Sequence, residues 1–114
     1  MANYASNLDT IFHALADPTR RSVIERLSRG PASVSELAQP FAMALPSFLQ
    51  HLKVLEKCGL IHTHKEGRVR TCQMEPQALE VMEGWLAEQR SLWERRLDQF
   101  DRYLLDLKQK ENTQ

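Results

Sequence analysis

One stretch decides the fold. It opens with Ser33-Val34-Ser35-Glu36-Leu37-Ala38-Gln39-Pro40 and, after a short connection, continues as Pro46-Ser47-Phe48-Leu49-Gln50-His51-Leu52-Lys53-Val54-Leu55-Glu56-Lys57-Cys58-Gly59. It ends with Leu60–Lys65, Glu66-Gly67 and Arg68–Met74. Ser33 with Glu36 three residues on is a capping box, which predicts a short helix that must stop before Pro40. Pro46 suits the first turn of a second helix, because the N–H it lacks would have no partner there. Phe48, Leu52 and Leu55 recur at core spacing along that helix, and Gly59 ends it. The period then changes from 3.6 to 2. Leu60–Lys65 and Arg68–Met74 are β-capable runs on either side of Glu66-Gly67, which predicts a hairpin turning at that pair.

Working outward, Ser6 with Asp9 predicts the start of a first helix whose inner face carries Leu8, Ile11, Phe12 and Leu15. Asp17-Pro18 restarts the chain, Asp17 as N-cap and Pro18 at the first helical position. Val23, Ile24 and Leu27 form the next apolar stripe, stopped by Gly30-Pro31. Beyond the hairpin, Pro76 opens one long helical pattern over Glu75 to about Lys108, and the polar Gln109–Gln114 is expected to fray. The expected architecture is mostly α with a small β-hairpin wing, in the order α-α-α-α-β-β-α. A short capped helix, a sharp turn, a longer helix and a hairpin make a winged helix-turn-helix. It is read as a single domain over residues 1–108.

The 114 residues are 42% hydrophobic and 26% charged, which fits one ordinary globular domain and excludes a disordered or fibrous chain. The most apolar run, Phe41–Leu49, is broken by Pro46 and Ser47 and is too short to span a bilayer. No basic-then-apolar leader follows Met1, and two cysteines make no disulfide framework, so the expected location is the cytoplasm. Net charge is zero, yet residues 1–74 hold nine basic against six acidic side chains, and residues 75–114 the reverse imbalance, six against nine. Such a split fits one face for a polyanion and another for something else.

In a helix-turn-helix the second helix offers its N-terminal half to base edges in the major groove. The candidates are Ala44, Leu45, Pro46, Ser47, Leu49, Gln50 and His51. Gln50 can bind adenine through two hydrogen bonds, Leu49 can pack on a thymine methyl, and Ser47 can reach a base or a phosphate. Lys53 and Lys57 suit phosphates. Lys65, Arg68 and Arg70 cluster at the hairpin tip, where cations fit the backbone or a narrow minor groove. An enzyme would need a nucleophile with a base and an orienting group, or paired carboxylates, and no such set stands out.

Ala14-Leu15-Ala16-Asp17-Pro18-Thr19-Arg20-Arg21, Val34–Ala38, His51–Glu56, Gly59-Leu60-Ile61 and Glu66-Gly67-Arg68 together resemble the ArsR/SmtB family of bacterial winged helix-turn-helix repressors. The resemblance runs from about Asn7 to Met74. The tail, with Trp85-Leu86 and Leu92–Leu97, is similar to the subgroup resembling the SdpR autorepressor. It implies a homodimer that binds a palindromic operator in double-stranded DNA and represses transcription. Ala44 and Leu49 stand where many members have serine, so base contacts here are expected to be fewer or more apolar.

Metal sensors of that family carry a Cys-x-Cys-type pair before the recognition helix, or His and Asp ligands along the last helix. Neither Val34–Gln39 nor the chain after Met74 contains Cys or His. His62 and His64 would share one face of a strand, but without a third ligand in register. No metal and no cofactor is expected, and Cys58 and Cys72 read as small packed side chains.

From Pro76 to Leu107 a continuous helix would span roughly 48 Å, far more than one small domain can cover. Trp93, Leu97, Phe100, Leu104 and Leu107 follow at spacings of 4, 3, 4 and 3, a coiled-coil-like stripe. The expected dimer seam combines Trp85, Trp93, Leu97, Phe100 and Leu104 with Leu8, Ile11 and Phe12. Two other readings stay open: a winged-helix protein-interaction module without DNA, and a repressor gated by a small organic effector that the sequence leaves unidentified.

Overall fold

The computed structural model describes residues 3–112, with side chains from Asn7 onward. It divides into two compact units, residues 1–82 and 83–114.

The first unit holds helices α1 (Asn3–Leu15), α2 (Pro18–Leu27), α3 (Val34–Ala38) and α4 (Leu45–Lys57), with strands β1 (Ala32–Ser33), β2 (Ile61–Glu66) and β3 (Val69–Met74). It ends in the first turns of α5 (Pro76–Asn112). Asp17 caps α2 by accepting the Arg20 amide at 3.1 Å, with Pro18 in the first turn. Ser33 and Glu36 form the reciprocal capping box of α3, both bonds at 3.1 Å. The end of α4 is a Schellman motif. Leu60 N–H bonds Leu55 C=O and Gly59 N–H bonds Glu56 C=O, with Gly59 at φ 84°, a conformation that costs glycine little.

Three details of this unit depart from the expectations. Helix α1 begins at Asn3, since nothing in Asn3–Ala5 breaks a helix, so Ser6 lies within it and its side chain is outside the described residues. The hairpin turns at Gly67-Arg68, one residue later than Glu66-Gly67, and Glu66 pairs with Val69. The left-handed φ of 62° falls on Gly67, and a two-residue turn with glycine in its first central place puts Glu66 back in the strand. Finally, β1 adds a third strand. It pairs antiparallel with β3 (Ala32 opposite Cys72, Ser33 opposite Thr71), giving the order β1-β3-β2.

The core joins every element: Ile11 and Ala14 from α1, Val23 and Leu27 from α2, Leu37 from α3, Phe48, Leu52 and Leu55 from α4, and Ile61 and Cys72 from the sheet. Ala78 of α5 is buried against them, and Leu79, Val81 and Met82 are half-buried. Phe48 is fully buried, with its ring 5.4 Å from that of Phe41. The apolar stripe that makes α4 a helix is therefore also what fixes it to the domain, leaving its other face outward.

The second unit is the remainder of α5, which runs unbroken through Gly84 and, where fraying was expected from Gln109, stays helical to Asn112, since Gln109–Asn112 holds no Gly or Pro to break it. Leu86, Leu92, Trp93, Leu97, Phe100 and Leu104 are all exposed on it, Trp93 at 61%. No helix among the described residues is long and apolar enough to cross a membrane.

Candidate nucleic-acid interface

Helix α4 carries most of the candidates. Ala44 is its N-cap, with extended backbone and no side chain to cap with. Leu45, Pro46, Ser47, Leu49, Gln50 and Lys53 are exposed, although the core residues Phe48 and Leu52 lie between them in sequence. Exposed Leu45 and Leu49 on a well-packed helix are a notable use of apolar side chains at a surface, and they fit contact with base methyl groups.

The wing and α4 meet in a cleft of about 330 Å³ lined by Leu49, Gln50, Lys53 and Glu56 of α4 with Thr63 and Arg70 of the wing. Thr63 Oγ1 donates to Glu56 Oε1 at 3.1 Å and ties the strand to the helix. The fold thus brings Leu49, Gln50, Lys53 and Arg70 onto one surface. Lys57 lies elsewhere, in an opening between α1 and α4 with His13 and Cys58. Glu56 and Thr63 were not legible as site residues. Glu56 falls one turn beyond Lys53, but only the tertiary fold supplies Thr63.

The wing's cations are arranged against themselves. Lys65 and Arg70 are directly opposite each other across the β2–β3 ladder, with Arg68 in the turn between the strands. Like charges facing across a ladder repel. Lys53, Lys57, Lys65, Arg68 and Arg70 have no ion-pair or hydrogen-bond partner among the described residues.

His51 is placed differently from its neighbours. It is half-buried, and its Nδ1 lies 3.1 Å from Arg20 Nη1 and 3.7 Å from Asp17 Oδ2. The Arg20 amide, helped by the nearby Arg20 charge, holds the Asp17 carboxyl below its ordinary value, against an opposing effect of burial. The amide and hydroxyl of Ser33 do the same for Glu36.

The remaining soft ligands are dispersed. His62 Nδ1 bonds Glu75 Oε1, and His64 Nε2 is 3.3 Å from Glu66 Oε1, so each histidine pairs with its own carboxylate. No group of three or more His, Cys, Asp or Glu among the described residues could hold a metal ion. Burial pushes both thiols up, Cys58 at the end of α4 and Cys72 in the middle of the sheet, away from the reactive thiolate.

The expected dimer seam is divided by the structure. Leu8 and Ile11 are buried within the chain itself, because the face of α1 that carries them packs on its own domain, while Phe12 is 39% exposed. Trp85 is half-buried, and Trp93, Leu97, Phe100 and Leu104 are exposed.

Comparison with known proteins agrees with this geometry. A family model described as a helix-turn-helix domain matches residues 15–64, from the end of α1 into the first strand of the wing. An HTH-type transcriptional regulator of Mycobacterium tuberculosis is 40% identical over 82 residues, covering 72% of this chain and 76% of that protein. The transcriptional repressor SdpR of Bacillus subtilis is 27% identical over 79 residues, covering 69% of this chain and 88% of that one. A crystal structure of an ArsR family transcriptional regulator superposes with a TM-score of 0.77 at 63% identity, covering 82% of this chain and 97% of its own. With its helix-turn-helix, its wing and these relatives, the chain belongs to the ArsR family of winged helix-turn-helix transcriptional regulators.

Proposed function

We propose that the protein is a homodimeric cytoplasmic repressor that reads a palindromic operator in double-stranded DNA. Helix α4 enters the major groove and the wing holds the backbone or the adjacent minor groove. The observation that carries this reading is the cation pair Lys65–Arg70 with Arg68 between them, unpaired and beside a cleft that also holds Leu49, Gln50 and Lys53. A wing built to be inert would not set two cations opposite each other, whereas a polyanion lying along it neutralises both and releases its own counterions. In this assignment Ser47, Leu49 and Gln50 read bases, and Ala44, Leu45 and Pro46 form the rim that approaches the groove. Lys53, Lys65, Arg68 and Arg70 hold phosphates, and Lys57, away from that surface, is not assigned to it.

The dimer half of the proposal rests on Trp93, Leu97, Phe100 and Leu104, which present large apolar groups at coiled-coil spacing and are exposed. A second copy is the occupant that fits, since two-fold protein symmetry matches two half-sites about one DNA turn apart. Trp85 is assigned to the same seam, and Phe12 to a separate dimer contact of the first unit. SdpR, similar over most of its length, is itself named a transcriptional repressor, which supports the direction of regulation. Residues 1–108 act as one DNA-binding unit including its dimerisation helices, without catalysis, cofactor or metal.

Analytical ultracentrifugation alongside a DNA titration tests the reading. The wild type should sediment as a dimer at micromolar concentration, and Trp93→Ala should lose operator binding although Trp93 touches no DNA. Removing a well-packed aromatic from such a seam costs about 3–5 kcal/mol. A folded Trp93→Ala monomer with wild-type operator affinity refutes the dimer requirement, and a wild type with no affinity for duplex DNA refutes the whole proposal.

A further inference from the structure

We infer that Arg20 is a positioning residue for DNA recognition, acting through His51 to fix the rotation of the recognition helix. The inference rests on the DNA-reading role proposed above. The Arg20 guanidinium reaches three places at once. Nε donates to the Ala14 carbonyl at 2.6 Å, Nη2 donates to the His13 carbonyl at 3.2 Å, and Nη1 lies 3.1 Å from His51 Nδ1. The first two are carbonyls at the C-terminal end of α1, where a cation is favoured; the His13 carbonyl also accepts the Ala16 amide at 3.2 Å. The third is a side chain in the middle of α4.

The chemistry fixes the roles in that third contact. A guanidinium only donates and keeps its proton, so Nδ1 must supply the lone pair. In that contact the ring proton sits on Nε2. Asp17 does not compete for Nδ1. Its Oδ2 is 3.7 Å away, past hydrogen-bonding length, and already accepts the Arg20 amide. One side chain thus joins the end of α1, the start of α2 and the body of α4.

His51 follows Gln50 directly in α4. Restraining the imidazole restrains the helix about its axis. A rotation of about 10° moves an atom roughly 6 Å from the axis by about 1 Å. That displacement is enough to turn a good paired hydrogen bond to a base edge into a poor one, while a phosphate contact from a long lysine adjusts. The positioning contact should therefore govern discrimination between sequences more than overall affinity. His51 serves DNA recognition from behind the helix.

The experiment compares His51→Gln, which keeps an acceptor for Arg20, with His51→Leu, which removes it at similar volume. Fluorescence anisotropy at fixed salt would measure full-chain binding to a palindrome selected from random duplexes and to a scrambled duplex, with melting temperatures in parallel. His51→Leu should lower affinity for the selected palindrome roughly tenfold and leave the scrambled duplex within about twofold. His51→Gln should recover most of the difference, and in an Arg20→Lys background His51→Leu should add little further loss. Equal behaviour of the Gln and Leu variants overturns the inference. So does an equal loss on both duplexes, or full additivity with Arg20→Lys. A wild type that binds both duplexes alike overturns the DNA reading and this inference with it.

Discussion

Removing one cation from the wing should move stability and DNA affinity in opposite directions. Lys65 and Arg70 are cross-strand partners without counterions, so Arg70→Gln relieves a repulsion while keeping much of the side chain's packing. For two unit charges on directly opposed long side chains, taken as roughly 5–10 Å apart in water, the repulsion is about 0.4–0.8 kcal/mol, and about half that at physiological salt. For a domain this size that corresponds to a rise of roughly 1–5 °C in Tm, larger at low salt. If Arg70 holds a phosphate, losing it lowers the slope of log K against log salt by about 0.9, which is about an eightfold loss of affinity at 0.1 M salt. Differential scanning fluorimetry and anisotropy titrations at four salt concentrations measure both on one preparation. A variant that is less stable with an unchanged salt slope would refute the reasoning and leave Arg70 as scaffold.

Other expectations follow from the same surfaces. Gln50→Ala should cost about 1–3 kcal/mol on the selected operator and much less on random DNA; equal loss on both, at fixed salt, would move Gln50 to backbone positioning. The carboxyls of Asp17 and Glu36 are held below their ordinary values, so the stability they add is complete above about pH 5 and is lost as pH falls below about 4. Asp17→Asn should accordingly flatten the fall of Tm between pH 5 and 3. Operator affinity should be indifferent to zinc, cadmium, arsenite and EDTA, and a stoichiometric metal at His62 and His64 that changes it would contradict the site assignment.

Local rules carried the sequence reading where the physics is local. Asp17-Pro18, the Ser33–Glu36 box, Pro46 and Gly59 each act within a few residues, and each stands where it was expected. The hairpin was legible but its turn was not, because strand pairing with Val69 competes for Glu66 and only the backbone decides. A two-residue strand such as Ala32-Ser33 has no period to detect, and its partner Cys72 is 40 positions away along the chain. The same limit hid the site's tertiary half. Helical spacing put Ser47, Leu49 and Gln50 outward, but nothing in it distinguishes His51 from them; the difference is Arg20, from another helix. Likewise an apolar face on α1 announces burial without saying by what, and Leu8 and Ile11 are buried in their own chain.

The most direct test of the central claim is selection of bound sequences from a random double-stranded library by the purified full chain at physiological salt. The account predicts enrichment of one inverted repeat whose half-sites are centred about one helical turn apart or a multiple of it, bound at least about 10³-fold more tightly than the starting pool. A library that emerges without any enriched sequence, or with a single unrepeated half-site, would contradict it.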